Sequence, residues 1–212
     1  MTLQLQEKPN PFQPPPLKNY EGQTLRLDGI PWENFKTLDS SFEGIPSIRL
    51  SYATGVLEIM TIGPKHEYLK STISVLLEAY MREKGIRHYK RGGFTLMKEG
   101  EASGEPGESY CIGSDKDVPD IVIEVIITSG SINKLDIYKP QGVPEVWFWQ
   151  ADNLRIFYLQ GDDYQEVTHS HFLPELDLDL LLHYTRKPDE HIAYRQKPNG
   201  NTQHEQIRPL YN

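Results

Sequence analysis

Residues 119–128 read PDIVIEVIIT, a near-continuous β-branched run of the kind that forms a strand covered on both faces. Glu124 stands in its middle. A carboxylate there costs several kcal/mol unless it is paired, protonated or bound to a metal. The alternative is a salt-bridged structural acid, or an acid at an exposed strand edge.

The flanking segments supply the fold. Downstream, SINKLDIYKPQG (131–142) predicts a short helix capped by Ser131 and broken at Pro140, and VPEVWFW (143–149) an aromatic-rich strand. A helix between two strands implies a parallel crossover. Upstream, SYCIG (109–113) is a short strand, and IRHYKRGGFTLM (86–97) a strand or pair of strands. HEYLKSTISVLLEAYMREKG (66–85) places Leu69, Ile73, Leu76, Leu77 and Tyr80 at helical spacing, with Gly85 closing the helix. IRLSYATGVLEIM (48–60) is a hairpin around Ala53, Thr54 and Gly55. LRIFYLQGDDYQEVTHS (154–170) reads as a terminal hairpin and LPELDLDLLLHY (173–184) as a closing helix. The fold class is α/β, a mixed β-sheet flanked by helices, with hairpins towards both ends.

The domain spans residues 22–185. Residues 1–21, with Pro9, Pro11, Pro14, Pro15 and Pro16, read as extended, and 186–212 as a polar tail. No apolar run approaches the ~20 residues of a membrane span, and the N-terminus has no secretory pattern. The single Cys111 excludes an internal disulfide and fits a reducing cytoplasm. The net charge of -8 argues against coating nucleic acid by bulk electrostatics.

Among residues that could do chemistry, Asp120 shares the Glu124 face of the strand. Four residues of strand span ~13 Å, whereas Mg²⁺ holds its oxygens at ~2.1 Å, so the two cannot both ligate one ion. A second ligand must come from a neighbouring element: Glu101, Glu105, Glu108 or Glu67. Lys134 can fold back to the C-terminal end of the strand, where open sheets place their sites, or be a solvated lysine beside Asp136. His66 and Glu67 read as an ordinary helix N-terminus. The histidines have no zinc spacing, and neither GxGxxG nor GxxxxGK[ST] occurs.

The stretch PDIVIEVIITSGSINKLDIYKPQGVPEVWFWQADNLRIFYL, with GVLEIMTIGPKHEYLKSTISVLL and EPGESYCIG upstream, resembles the Uma-type family of restriction-endonuclease-like proteins over roughly residues 40–180. The resemblance implies a PD-(D/E)xK nuclease core. It places Glu124 at the acidic position of the motif. The usual lysine position two residues later is Ile126, and Lys134 matches a lysine moved onto the following helix. The motif Asp expected after Glu105 and Pro106 is Gly107.

The resemblance thus implies a Mg²⁺- or Mn²⁺-dependent nuclease acting on DNA, with Glu124 and Lys134 catalytic and activity impaired by Gly107. The candidate metal ligands are Glu124, Glu108 in place of the missing Asp, and Asp120 by its Pro-Asp pattern alone, which the strand distance keeps from sharing one ion with Glu124. The alternative is a catalytically inactive binding or regulatory module, with assembly as a homo-oligomer one option. A second carboxylate within reach of Glu124 and Lys134 discriminates between them.

Overall fold

The structure is a computed structural model and describes residues 22–127 and 132–186. The proposed extended N-terminal segment, the polar tail from residue 187 and the proposed cap Ser131 lie outside the described residues.

Among the described residues, eleven strands form two sheets rather than one. The first is antiparallel: β1 (Thr24–Asp28), β2 (Ile48–Ala53), β3 (Val56–Thr61), β5 (Leu96–Lys98) and β6 (Ala102–Gly104), in the order β1-β3-β2-β6-β5. The second is mixed: β4 (His88–Lys90), β7 (Glu108–Ile112), β8 (Ile121–Ile126), β9 (Glu145–Gln150), β10 (Asn153–Gln160) and β11 (Asp163–Val167), in the order β11-β10-β9-β8-β7-β4. Its parallel pair among the described residues, β8 with β9, is the crossover through α3 (Lys134–Tyr138). The run 86–97 is divided between the sheets, β4 joining the second and β5 the first. Three elements carry no clear sequence pattern: β1, α1 (Trp32–Phe42) and the three-residue β6.

The alternation of β8 sorts its residues between two cores. Ile121, Ile123 and Val125 pack with Leu69, Ile73 and Leu77 of α2 (Pro64–Glu83) and Leu181 of α4 (Leu178–Thr185). Val122 faces the other way, into a cluster with Ile137 and Tyr138 of α3 and Ala53 of the first sheet. That second face also receives Glu124, because side chains two apart share a face. Helix α1 covers the far side of the first sheet through Phe35, which packs with Leu50, Tyr52 and Leu57. The central strand β8 is thus sandwiched between layers, which explains its unbroken apolar composition.

Helix α3 starts at Lys134, and its cap is Asn133, whose side chain accepts from the Leu135 amide at 3.3 Å. It ends at Tyr138; a 3-10 turn over Lys139–Gln141 carries Pro140, and Gly142 closes it at φ +70°. A side chain there would be strained, which suits glycine. Among the described residues no helix is long and apolar enough to cross a membrane.

Candidate active site

Glu124 is 5% exposed. The Tyr138 hydroxyl, one α3 crossover away and wholly buried, donates to its Oε1. Burial raises the Glu124 carboxyl above the ordinary 4.5, opposed by the positive charge of Lys134 and by the Tyr138 hydrogen bond, and reinforced by the negative charges of Glu58 and Glu105. Burial and the adjacent carboxylate likewise raise Tyr138 well above the usual phenol range. The tyrosine therefore remains the donor.

Lys134 is 8% exposed and reaches away from solvent. Its Nζ donates to Ser51 Oγ at 2.8 Å and pairs with Glu58 Oε1 at 3.2 Å. Glu58 is 1% exposed, and its Oε2 accepts from the Ile132 amide at 3.1 Å, just before α3. Ser51 and Glu58 are direct partners in the β2–β3 ladder, so two adjacent side chains of the first sheet hold the lysine of the second. Glu58 is a carboxylate near both Glu124 and Lys134 that sequence reasoning did not name. A signal was available: its same-face neighbours Val56 and Met60 are apolar, marking a face covered by another layer rather than by water.

Glu124 and Lys134 line a common cavity of about 90 Å³ with Arg49, His66, Lys70, Glu105 and Gly107. A second space, about 380 Å³, is bordered by Glu58, Glu124, Lys134 and Arg155. His66, in the first turn of α2, is buried against the small cavity. Burial pulls its imidazole below the usual range despite Glu67 Oε1 at 3.2 Å from Nδ1, favouring the neutral ring. Arg49 pairs with Glu105 at 3.1 Å and Lys70 with Glu67 at 2.6 Å. The cavity wall is therefore of mixed charge.

The other proposed ligands lie elsewhere. Glu108 pairs with Ile123 across the ladder and so points to the α2 side, opposite to Glu124. There it accepts from Ser74 Oγ at 2.9 Å and pairs with Lys90 at 3.0 Å. Asp120 sits at the far end of β8, accepting the Ile112 amide at 2.7 Å and Lys116 Nζ at 2.6 Å. Glu101 is exposed, and Glu67 is committed to Lys70 and His66. Of the four upstream candidates, Glu105 and Glu67 line the cavity with Glu124, and Glu105 is the more buried of the two.

The donors present do not complete a divalent-ion site. Among the described residues no three His, Cys, Asp or Glu side chains group closely enough to hold a metal. Glu58 has one oxygen on Lys134 and the other on the Ile132 amide. The buried carboxylate of Glu124 shares its cavity with Gly107, which has no side-chain ligand to add.

Two sheets flanked by helices, with a buried acid on the central parallel strand and a lysine on the next helix, define an α/β protein of the restriction-endonuclease-like class. The Uma2 family model, described as "putative restriction endonuclease", matches residues 32–187, and the chain belongs to that family. It is also similar to the crystal structure of a "putative nuclease belonging to DUF820" from Anabaena variabilis ATCC 29413, with 16% identity, a TM-score of 0.43, and coverage of 70% of this chain and 86% of that one. No curated protein matches the chain.

Proposed function

We propose that this chain is a divalent-ion-dependent nuclease that hydrolyses phosphodiester bonds of DNA in the cytoplasm, and that it turns over weakly because Gly107 stands where a second acid belongs. The observation that carries the reading is the shared cavity: Glu124, Lys134 and Gly107 line one small space in a member of a restriction-endonuclease family. Glu124, with Glu105 on the same cavity, would hold Mg²⁺ or Mn²⁺ incompletely, and the ion would supply polarisation of the phosphate and a more acidic water. The chain's own residues do the positioning. Tyr138 fixes one oxygen of Glu124, and the ammonium of Lys134 provides positive charge for a phosphoryl oxygen in the transition state.

Gly107 in place of the motif acid on the Glu124 cavity favours a second reading, a nuclease fold that binds DNA without cutting it. Plasmid cleavage separates the two. The nuclease reading expects nicking that needs Mg²⁺ or Mn²⁺, stops with chelator, and falls by on the order of 10²–10³ in Lys134→Ala and as severely in Glu124→Gln. DNA binding with no cleavage in either the natural chain or Gly107→Asp, both folded, establishes the binding module instead.

A further inference from the structure

A lysine two residues after Glu124 would have its direction fixed by the strand, since strand positions two apart share a face. Ile126 occupies that place, and Lys134 comes from a helix of five residues. One helical turn and a half does not hold itself in water, so the aim of this lysine must be set from outside.

The first sheet does this. Ser51 and Glu58 are directly opposed in the β2–β3 ladder, and both reach the Lys134 ammonium, at 2.8 and 3.2 Å. Glu58 does more, because its second oxygen holds the Ile132 amide at 3.1 Å. One carboxylate thus grips both the chain just before α3 and the charged end of the lysine. We propose that Glu58, supported by Ser51, is a positioning residue that holds Lys134 at the site beside Glu124, doing from the neighbouring sheet what strand geometry does for a lysine on β8.

Stability alone is a poor explanation for this arrangement. Taking a carboxylate and an ammonium out of water costs about as much as their attraction returns, and apolar residues of similar size often serve a core better. Val56 and Met60, on the same face of β3, are residues of that kind. The pair is also directional, because both oxygens of Glu58 act on the segment that carries Lys134.

The functional part of this inference rests on the nuclease reading; the geometric part does not. Two measurements on the full-length protein therefore test it together. The first is the rate at which Lys134 is acylated by an amine-reactive reagent, followed by mass spectrometry with the exposed lysines as internal controls. Glu58→Gln preserves shape but removes the charge, and should accelerate modification of Lys134 severalfold while Lys36 and Lys139 are unchanged. If Glu58→Gln fails to fold, Ser51→Ala carries the same test, with a smaller acceleration expected. The second is a double-mutant cycle for cleavage. Glu58→Gln should lower kcat by about 10-fold or more with KM nearly unchanged, and add nothing in the Lys134→Ala background, because residues that act through one another are not additive. Unchanged Lys134 reactivity in the folded variant overturns the proposal, and so does an additive cycle. If the protein cuts no DNA in any form, the nuclease reading falls and the acylation rates alone decide whether Glu58 holds the lysine.

Discussion

Gly107, the residue just before β7, falls in register opposite Glu124 of β8. Glu108 pairs with Ile123, and in an antiparallel register the next pair is Gly107 with Glu124. A Cβ at Gly107 would lie 3.0 Å from the Ile123 carbonyl oxygen and 3.7 Å from the Val125 amide nitrogen, the backbone atoms on either side of Glu124. The one position where this chain departs from the expected motif acid is thus the position facing its buried carboxylate.

Gly107→Asp should consequently trade stability for ion binding. The tight approach to Ile123 demands a small shift of the ladder, and a second carboxylate enters beside Glu124, so the metal-free protein should lose on the order of 1–3 kcal/mol. Mn²⁺ should return stability to the variant in proportion to its occupancy of the folded state, while the natural chain responds weakly. Thermal unfolding with and without Mn²⁺ reads both effects, and plasmid nicking should rise in parallel. Equal Mn²⁺ responses in the two proteins would remove Gly107 as the reason for weak turnover.

Burial raises the Glu124 carboxyl above 4.5, so the folded protein keeps a proton that the unfolded chain has already released. Wherever the native state binds more protons, stability falls as pH rises. That fall begins near 4.5 and ends once the folded carboxyl has itself ionised. Glu124→Gln carries no such proton and still offers an oxygen to the Tyr138 hydroxyl. At neutral pH without metal the variant should be the more stable of the two, with the gap closing once the pH falls below the ordinary carboxylate range. Urea titrations at the two pH values provide the check, and a variant less stable at both would contradict the assigned burial cost.

Much of this architecture is legible in the sequence because each layer imposes its own period. The hairpin 48–60 and helix α2 carry alternation or helical spacing, β8 and β9 are near-continuous apolar runs, and β10 and β11 form a hairpin, and all occur where those patterns put them. The split into two sheets is not legible, because it depends on β6, three residues that join β2 and β5 and carry no hydrophobic signal. Glu58 is legible only in part: apolar Val56 and Met60 on its face mark a covered layer, but nothing local shows that Lys134 of α3 is what covers it. Nor is a buried acid sufficient to mark a site. Glu145, wholly buried in an aromatic strand, is saturated by Trp147 Nε1, Ser170 Oγ and the His171 amide, a structural role. Glu124 differs in facing a cavity with a lysine beside it.

Asp120 and Glu108 provide the contrast within the same sheet. Asp120 satisfies the Ile112 amide and Lys116 at the opposite end of β8, so Asp120→Ala leaves a part-buried N–H without its acceptor and should cost about 1 kcal/mol. Glu108→Gln should weaken the packing of β7 on α2 through its contacts with Ser74 and Lys90. Neither change should alter metal-dependent cleavage or the Mn²⁺ response once measured below its own unfolding temperature. A loss of cleavage as large as that of Glu124→Gln would restore either residue as a ligand.

Tyr138 tests whether the orientation of Glu124 matters separately from its presence. The hydroxyl donates to Oε1 from a wholly buried ring. Tyr138→Phe keeps that ring, which packs with Val122, Ile137 and Val146, and removes a single oxygen. The carboxylate then loses a charge-assisted donor in a buried place, a cost of about 1–3 kcal/mol. Because that hydrogen bond favours the ionised acid, its loss also raises the carboxyl further, and the acidic limb of the cleavage profile should move to higher pH. A purely structural tyrosine would lower stability and leave the limb where it was. Cleavage measured across pH in Tyr138→Phe, at a temperature where the variant remains folded, separates the two, and an unmoved limb would show that Glu124 needs no help from α3 to hold its place.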